Sequence, residues 1–219
     1  MNRPLTTDIH ITGAALFLLP VTTRIPLKFG AQVVDEVTVA RIAVEVRTID
    51  GRHGIGWGET PLNVQWGWPA ELSYQSRYDA MVRVATASTQ ALCEISEPGH
   101  PMELGVFFRH EYLDDIARKA GDEETGPVPE LAALIAASAS DLAVHDAYGN
   151  ALGLDTYTTY GQDHMRSDLV DLFGPELHPE DRTLFTGLRP ADFLELSPST
   201  TLSAWHLVGG LDPLDTAEL

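Results

Sequence analysis

Residues Pro129 to Gly161 read PELAALIAASASDLAVHDAYGNALGLDTYTTYG. Leu131, Leu134, Ile135, Ser138, Leu142 and His145 recur at spacings of three and four, which puts them on one face of a helix. Seven alanines between them (132, 133, 136, 137, 139, 143 and 147) favour helix by propensity and leave a smooth surface that neighbouring backbones can approach. Pro129 suits the first turn, Gly149 and Gly153 mark the fraying end, and Gly161 closes the exit. The stretch predicts a long scaffold helix on which the preceding elements pack.

Upstream of it the pattern has period two. His10 to Leu19 reads as a first strand ending at Pro20, and Val21 to Gly30 as a loop punctuated by Pro26 and Gly30. Glu36 to Ile49 alternates well enough for a half-buried antiparallel strand. Asp50-Gly51 is a hairpin turn, and His53 to Glu59 returns as a glycine-rich third strand. Thr60 to Ala70 is a loop carrying Trp66 and Trp68. Glu71 to Glu94 and about Met102 to Ala120 read as two helices, with Pro98-Gly99 between them and an acidic loop at 121–128. The fold class is α+β: a three-stranded antiparallel meander on a helical bundle. After Gly161, prolines and glycines punctuate a long excursion in which helical periods are short. Two segments follow: 1–161 as the folded unit and 162–219 as an extended, irregular tail.

Net charge is −18, which disfavours nucleic acid and anionic membrane as partners. The acidity is lopsided: the first 109 residues carry 11 acidic and 9 basic groups, the remaining 110 carry 21 and 5. No apolar run nears the roughly 18 residues of a membrane span, and no basic leader precedes Gly13–Leu19. A single cysteine, Cys93, excludes an internal disulfide framework and suits a reducing cytoplasm. It reads as a small buried apolar residue on a helix.

Chemistry-bearing motifs are scarce. None of the eight histidines pairs with another at i, i+4. His110-Glu111 opens like a zinc-protease helix but meets Asp114 where the second histidine belongs. His145 and Asp146 are neighbours on a helix and point about 100° apart, so His145 reads as a core-facing polar residue. Gly54-Ile55-Gly56-Trp57-Gly58 leads into a loop rather than a helix N-terminus, against dinucleotide binding. No nucleophile elbow occurs.

Three segments resemble the enolase superfamily, in its mandelate racemase and muconate lactonizing branch, over roughly residues 10–161. Pro26–Gly30 (PLKFG) looks like the first mobile loop of that family's N-terminal capping domain. Gly54–Glu59 (GIGWGE) is similar to the end of its third strand. Ala139–Asp146 (ASDLAVHD) with Gly149–Gly153 (GNALG) is similar to its last capping helix. His145 stands where the family usually has Trp, Asn150 where it has Lys, and Asp155 where it has Pro. Trp205–Gly210 (WHLVGG) resembles the start of the barrel that follows in the family.

The resemblance implies that chemistry belongs to a partner catalytic barrel. There, acidic residues hold Mg²⁺ and bases abstract a proton next to a carboxylate, in dehydratases and racemases of acid sugars. A barrel needs about 200 residues, and this chain offers no K-x-K segment, with Lys28 and Lys119 its only lysines. The expectation is a catalytically silent chain without a metal or catalytic residue of its own. Its share is substrate selection, by loops that close over the barrel mouth. By that resemblance Arg24 and Lys28 would meet an anionic acid-sugar substrate. Phe29, Trp57 and Trp66 would wall off solvent, and Asn63, with Gln65, would bond hydroxyls. Self-association through the barrel-facing surface is expected. The alternatives are a stand-alone binding or assembly module, or one chain of a split enzyme.

Overall fold

The computed structural model describes residues 4–29, 32–69, 71–195, 197, 199–205 and 215. Strands β1 (Ile9–Phe29), β2 (Gln32–Thr48) and β3 (His53–Pro61) form one antiparallel sheet in the order β1-β2-β3. Seven α-helical segments are described: α1 (Val64–Gly67), α2 (Tyr74–Leu92), α3 (Pro101–Phe108), α4 (Asp114–Ala120), α5 (Glu130–Leu152), α6 (Leu169–Phe173) and α7 (Pro179–Phe185). Among the described residues no helix is long and apolar enough to cross a membrane. The α+β class and the three-strand meander are as the sequence predicts.

β1 does not end at Pro20. It runs on to Phe29, so the loop predicted for 21–30 is instead one arm of a long ribbon with β2; Gly30 lies outside the described residues. Pro20 stays in the ladder opposite Thr38 because β1 is an edge strand, where a missing N–H costs no sheet bond. Of two irregular stretches, one lies between Ile11 and Gly13, and the longer, between Thr22 and Leu27, holds Pro26. There the Thr23 hydroxyl donates to the Asp35 carbonyl at 3.2 Å and holds the arms together. β3 stops at Pro61 opposite Val39, so the ribbon overhangs it.

The sheet packs on α5 through its smallest residues. Ala40, Ile42, Val44 and Val46 of β2 are fully buried. On β3 the buried positions include Gly54, Gly56 and Gly58. A Cβ at Gly56 would stand 2.0 Å from the Ala147 nitrogen, and one at Gly58 2.1 Å from the Ala139 carbonyl. Strand and helix backbones therefore touch directly, and Ala139, Ala143 and Ala147, all fully buried, supply the helix side of the seam. This corrects the reading of α5 from its large apolar residues: Leu131, Leu134 and Leu142 are exposed, and the alanine face is the buried one. Gly149 lies buried inside the helix, which ends at Gly153 in the left-handed region, φ 66°.

Helix boundaries shift by a turn from the predicted ones. Pro129 is the N-cap of α5 rather than its first residue. α2 starts after Ser73, whose side chain caps it, and ends at Leu92. Cys93 is the exposed C-cap residue, not a buried one. α3 and α4 form one rod joined by a π-turn, Arg109–Leu113, where an extra residue is accommodated without a break. Past Gly161 the tail is not a free excursion. The Arg166 guanidinium bonds Glu103 at 2.9 Å and approaches the fully buried Asp8 at 3.3 Å, tying the tail to α3 and to the start of β1. Of the barrel-like run, Trp205 is 97% exposed and residues 206–210 lie outside the described residues.

Candidate functional site

The predicted loop after β3 is a one-turn helix built around its own cap. Leu62 is fully buried, and the Asn63 side-chain oxygen accepts from the Trp66 N–H at 3.1 Å. The Asn63 carboxamide, which the sequence reading assigned to substrate hydroxyls, thus has its oxygen engaged in a helix cap. Val64, Gly67 and Trp68 turn inward; a Cβ on Gly67 would meet Ile135 of α5 at 2.8 Å. The buried Arg77 guanidinium donates to the Trp68 carbonyl. The geometry leaves Trp66 pointing out, 54% exposed.

Where this turn, the foot of the ribbon and the start of α2 meet, there is a polar cleft of about 430 Å³. Glu36, Thr38, Gln65, Tyr74 and Tyr78 line it, with Val33 at the ribbon end. Tyr74 and Tyr78, one turn apart on α2, stack at 6.0 Å with 9° between their planes. The Tyr78 hydroxyl bonds the Thr38 hydroxyl at 3.0 Å. Burial, with Tyr78 and Glu36 nearby, pushes the Tyr74 phenol above its ordinary pKa, so it remains a donor at neutral pH. Hydroxyls, the amides of Gln65 and Gln75 and two carboxylates, Asp35 and Glu36, share this cleft and suit the hydroxyl groups of a polyhydroxylated ligand.

The sequence-predicted residues divide around this cleft. Lys28 pairs with Val33 across the ladder, and paired residues share a face, so Lys28 lies on the face of Val33 without itself lining the cleft. Arg24 is exposed in the longer irregular stretch of β1, and among the described residues neither Arg24 nor Lys28 forms an ion pair. The Phe29 backbone pairs with Gln32; its side chain lies outside the described residues. Trp57 is not brought to this site. It faces outward from β3, 48% exposed, with Phe17 at 6.0 Å and the Arg41 guanidinium 5.4 Å over its ring. Arg41 also bonds Glu59 at 2.5 Å. Tyr74 and Tyr78 fall within the helix that the sequence predicts over 71–94; their spacing of four was the available signal that they act together.

The motif residues of α5 are structural. Asp146 Oδ2 accepts from the Trp57 backbone N–H at 2.8 Å, and Asn150 Nδ2 donates to the Ile55 carbonyl at 2.9 Å. The two side chains, one helical turn apart, cover the open edge of β3 as another strand would. His145 is largely buried, as predicted, with Nδ1 2.9 Å from the Tyr160 hydroxyl. Burial drives its pKa down, against the pull of Asp141. His100, fully buried, caps α3 by accepting the Met102 N–H on Nδ1, and its Nε2 lies 3.3 Å from the Thr159 hydroxyl. Burial, reinforced by His145, holds it neutral with a pKa of about 3. Among the described residues no three His, Cys, Asp or Glu side chains converge as a metal site, so the Mg²⁺ implied by the resemblance has no fitting ligand set here and no step is routed through it. No family model, curated protein or solved structure matches the chain.

Proposed function

We propose that the chain is a substrate-selecting capping unit of the enolase-superfamily type, working over a catalytic barrel supplied on the same or a separate chain. The carrying observation is the overhang of the β1–β2 ribbon past the end of β3, which sets Lys28 on the face of Val33, a residue lining the cleft formed with the Asn63–Trp68 turn. The wall of hydroxyls, amides and two carboxylates would take the hydroxyl end of an acid sugar, while Lys28, paired with Val33, and the exposed Trp66, next in sequence to Gln65, flank it with a cation and an indole. A cap of this kind selects the substrate while the barrel holds Mg²⁺ and the proton-abstracting base.

Reconstitution tests this. The 219-residue chain alone, with Mg²⁺, is expected to leave a panel of six-carbon aldonic and aldaric acids unchanged. With its barrel present, Lys28→Ala and Trp66→Ala should raise KM by roughly tenfold for the preferred acid and leave kcat within about threefold, the signature of lost ground-state binding. Dehydration or racemisation by the chain alone would overturn the proposal, as would a barrel whose substrate preference ignores both substitutions.

A further inference from the structure

A second cavity lies on the other side of the bundle, between α3, its π-turn and α5, with Ile11 and Leu92 at its floor. Its volume is about 360 Å³ and its wall is almost wholly apolar, from Leu104, Phe108, Leu113, Ala137 and Val144 among others. An apolar cavity of roughly 150 Å³ holds benzene; this one has room for a body of about a dozen non-hydrogen atoms. Two hydroxyls reach the wall. Ser138 Oγ donates to the Ile135 carbonyl at 2.8 Å, the usual satisfaction of a helical serine. Ser140, 2% exposed, leaves its Oγ without a partner.

The rim carries unequal charges. Arg109, placed there by the π-turn, is already engaged by Glu176 at 2.9 Å and Glu130 at 3.6 Å. Asp141 is not neutralised. Its nearest basic atom is His145 Nε2 at 3.9 Å, on a ring that burial keeps neutral. Opposite it stands Gly105, where a Cβ would come within 2.8 Å of Asp141 Oδ1. A glycine inside a helix is destabilising against alanine, and here its bareness leaves the carboxylate standing clear at the mouth. The unmet charge at the opening is negative, on a chain of net charge −18.

We propose that this cavity binds a lipophilic amine, its apolar body between α3 and α5 and its ammonium group on Asp141. An anion of the same shape would meet Asp141, Glu130 and Glu176 around an arginine already paired. A neutral alcohol would gain the apolar burial without the charge-assisted bond.

Three probes with one body separate these cases: 4-butylbenzylamine, 4-butylbenzyl alcohol and 4-butylbenzoate, titrated calorimetrically into the full chain at pH 7. The amine should bind once per chain, the alcohol about tenfold more weakly and the benzoate about a hundredfold more weakly, each tenfold step being one charge-assisted contact. Asp141→Asn should bring the amine down to the level of the alcohol and leave the alcohol unchanged. Ala137→Phe, which fills the cavity, should abolish binding of both; Leu134→Trp, at the mouth, serves the same purpose if Ala137→Phe fails to fold. The proposal is overturned by no saturable amine binding at 1 mM, by equal affinity for benzoate, or by binding that survives a filled cavity. It is equally overturned if the ligand-free protein is a dimer that Leu134→Glu splits, since a second copy would then occupy the cleft.

Discussion

The α5–β3 seam and the joint between the tail and α3 hold the molecule together by opposite means. At the seam, Gly54, Gly56 and Gly58 meet Ala139, Ala143 and Ala147 with almost no side chain between the backbones. At the joint, Arg166 gathers Glu103 and Asp8 under a cluster of imidazoles and phenols. A seam of this kind is sensitive to volume and indifferent to pH or charge. The joint is the reverse. Its ionised groups contribute only while each keeps its partner, and Asp8 Oδ1, Tyr148 Oη and His164 Nδ1 lie there buried without one.

The seam is the place to look for the largest effect. Gly56→Val puts a Cβ 2.0 Å from the Ala147 nitrogen and 2.3 Å from the Ala143 carbonyl, and backbone cannot rotate away as a side chain can. We expect a loss above about 4 kcal/mol, beyond what most domains tolerate, seen as loss of a cooperative thermal transition. A variant that melts within a few degrees of the parent would show that the seam is looser than described.

Charge should dominate at the joint. Arg166→Ala strands the fully buried Asp8, whose pKa burial already raises, and Glu103, whose pKa is kept low against burial by bonds from Ser167, Arg166 and His100. Breaking such a pair by removing one partner costs about 3 kcal/mol. Arg118→Ala, which breaks the exposed pair with Asp115, should stay within about 0.5 kcal/mol. Urea midpoints at constant slope decide it, and equal losses for the two arginines would erase the distinction between joint and surface.

Both regions were unequally legible in the sequence. The meander and α5 follow from period and punctuation, since Gly51 and Gly153 both take the positive φ that glycine favours. The face of α5 was misread because a hydrophobic count favours leucine, whereas a bare glycine strand accepts only alanine against it. The ribbon was missed because Pro20 and Pro26 signal loops, and only the edge position of β1 makes them harmless. The joint was invisible: Asp8, Glu103 and Arg166 lie far apart in the chain and no local pattern links them. At the candidate site, Asn63 and Trp66 were assigned separate roles toward substrate, and the cap bond that joins them was not foreseen.

Acid should also attack the joint before the seam. His100 has its pKa pushed down to about 3, against 6.5 when exposed. Between those values the unfolded chain takes up a proton that the native protein refuses, so stability falls as pH falls, by about 1.4 kcal/mol per unit for this one group. His145 is shifted the same way. Asp8, with a raised pKa, opposes the loss only near its own titration. Thermal midpoints should therefore drop steeply from pH 6.5 to 4.5. His100→Asn keeps a side-chain oxygen at the α3 cap while removing the titration, and should flatten that slope by about one proton. An unchanged slope would place the acid sensitivity elsewhere.

The smallest effect is expected on the outward face of α5, and it separates stability from association. Leu131 and Leu142 are 48% and 50% exposed, so replacing each with Gln removes little buried area, and exposed substitutions stay within about 0.5 kcal/mol. If this face is where the chain meets a barrel or a second copy, the same changes should lower light-scattering mass at high concentration while the melting temperature holds. The two readouts must part for that to stand. A fall in melting temperature of more than a few degrees would mean that the leucines hold the fold itself, and the contrast between an alanine side that binds the sheet and a leucine side left free would fail.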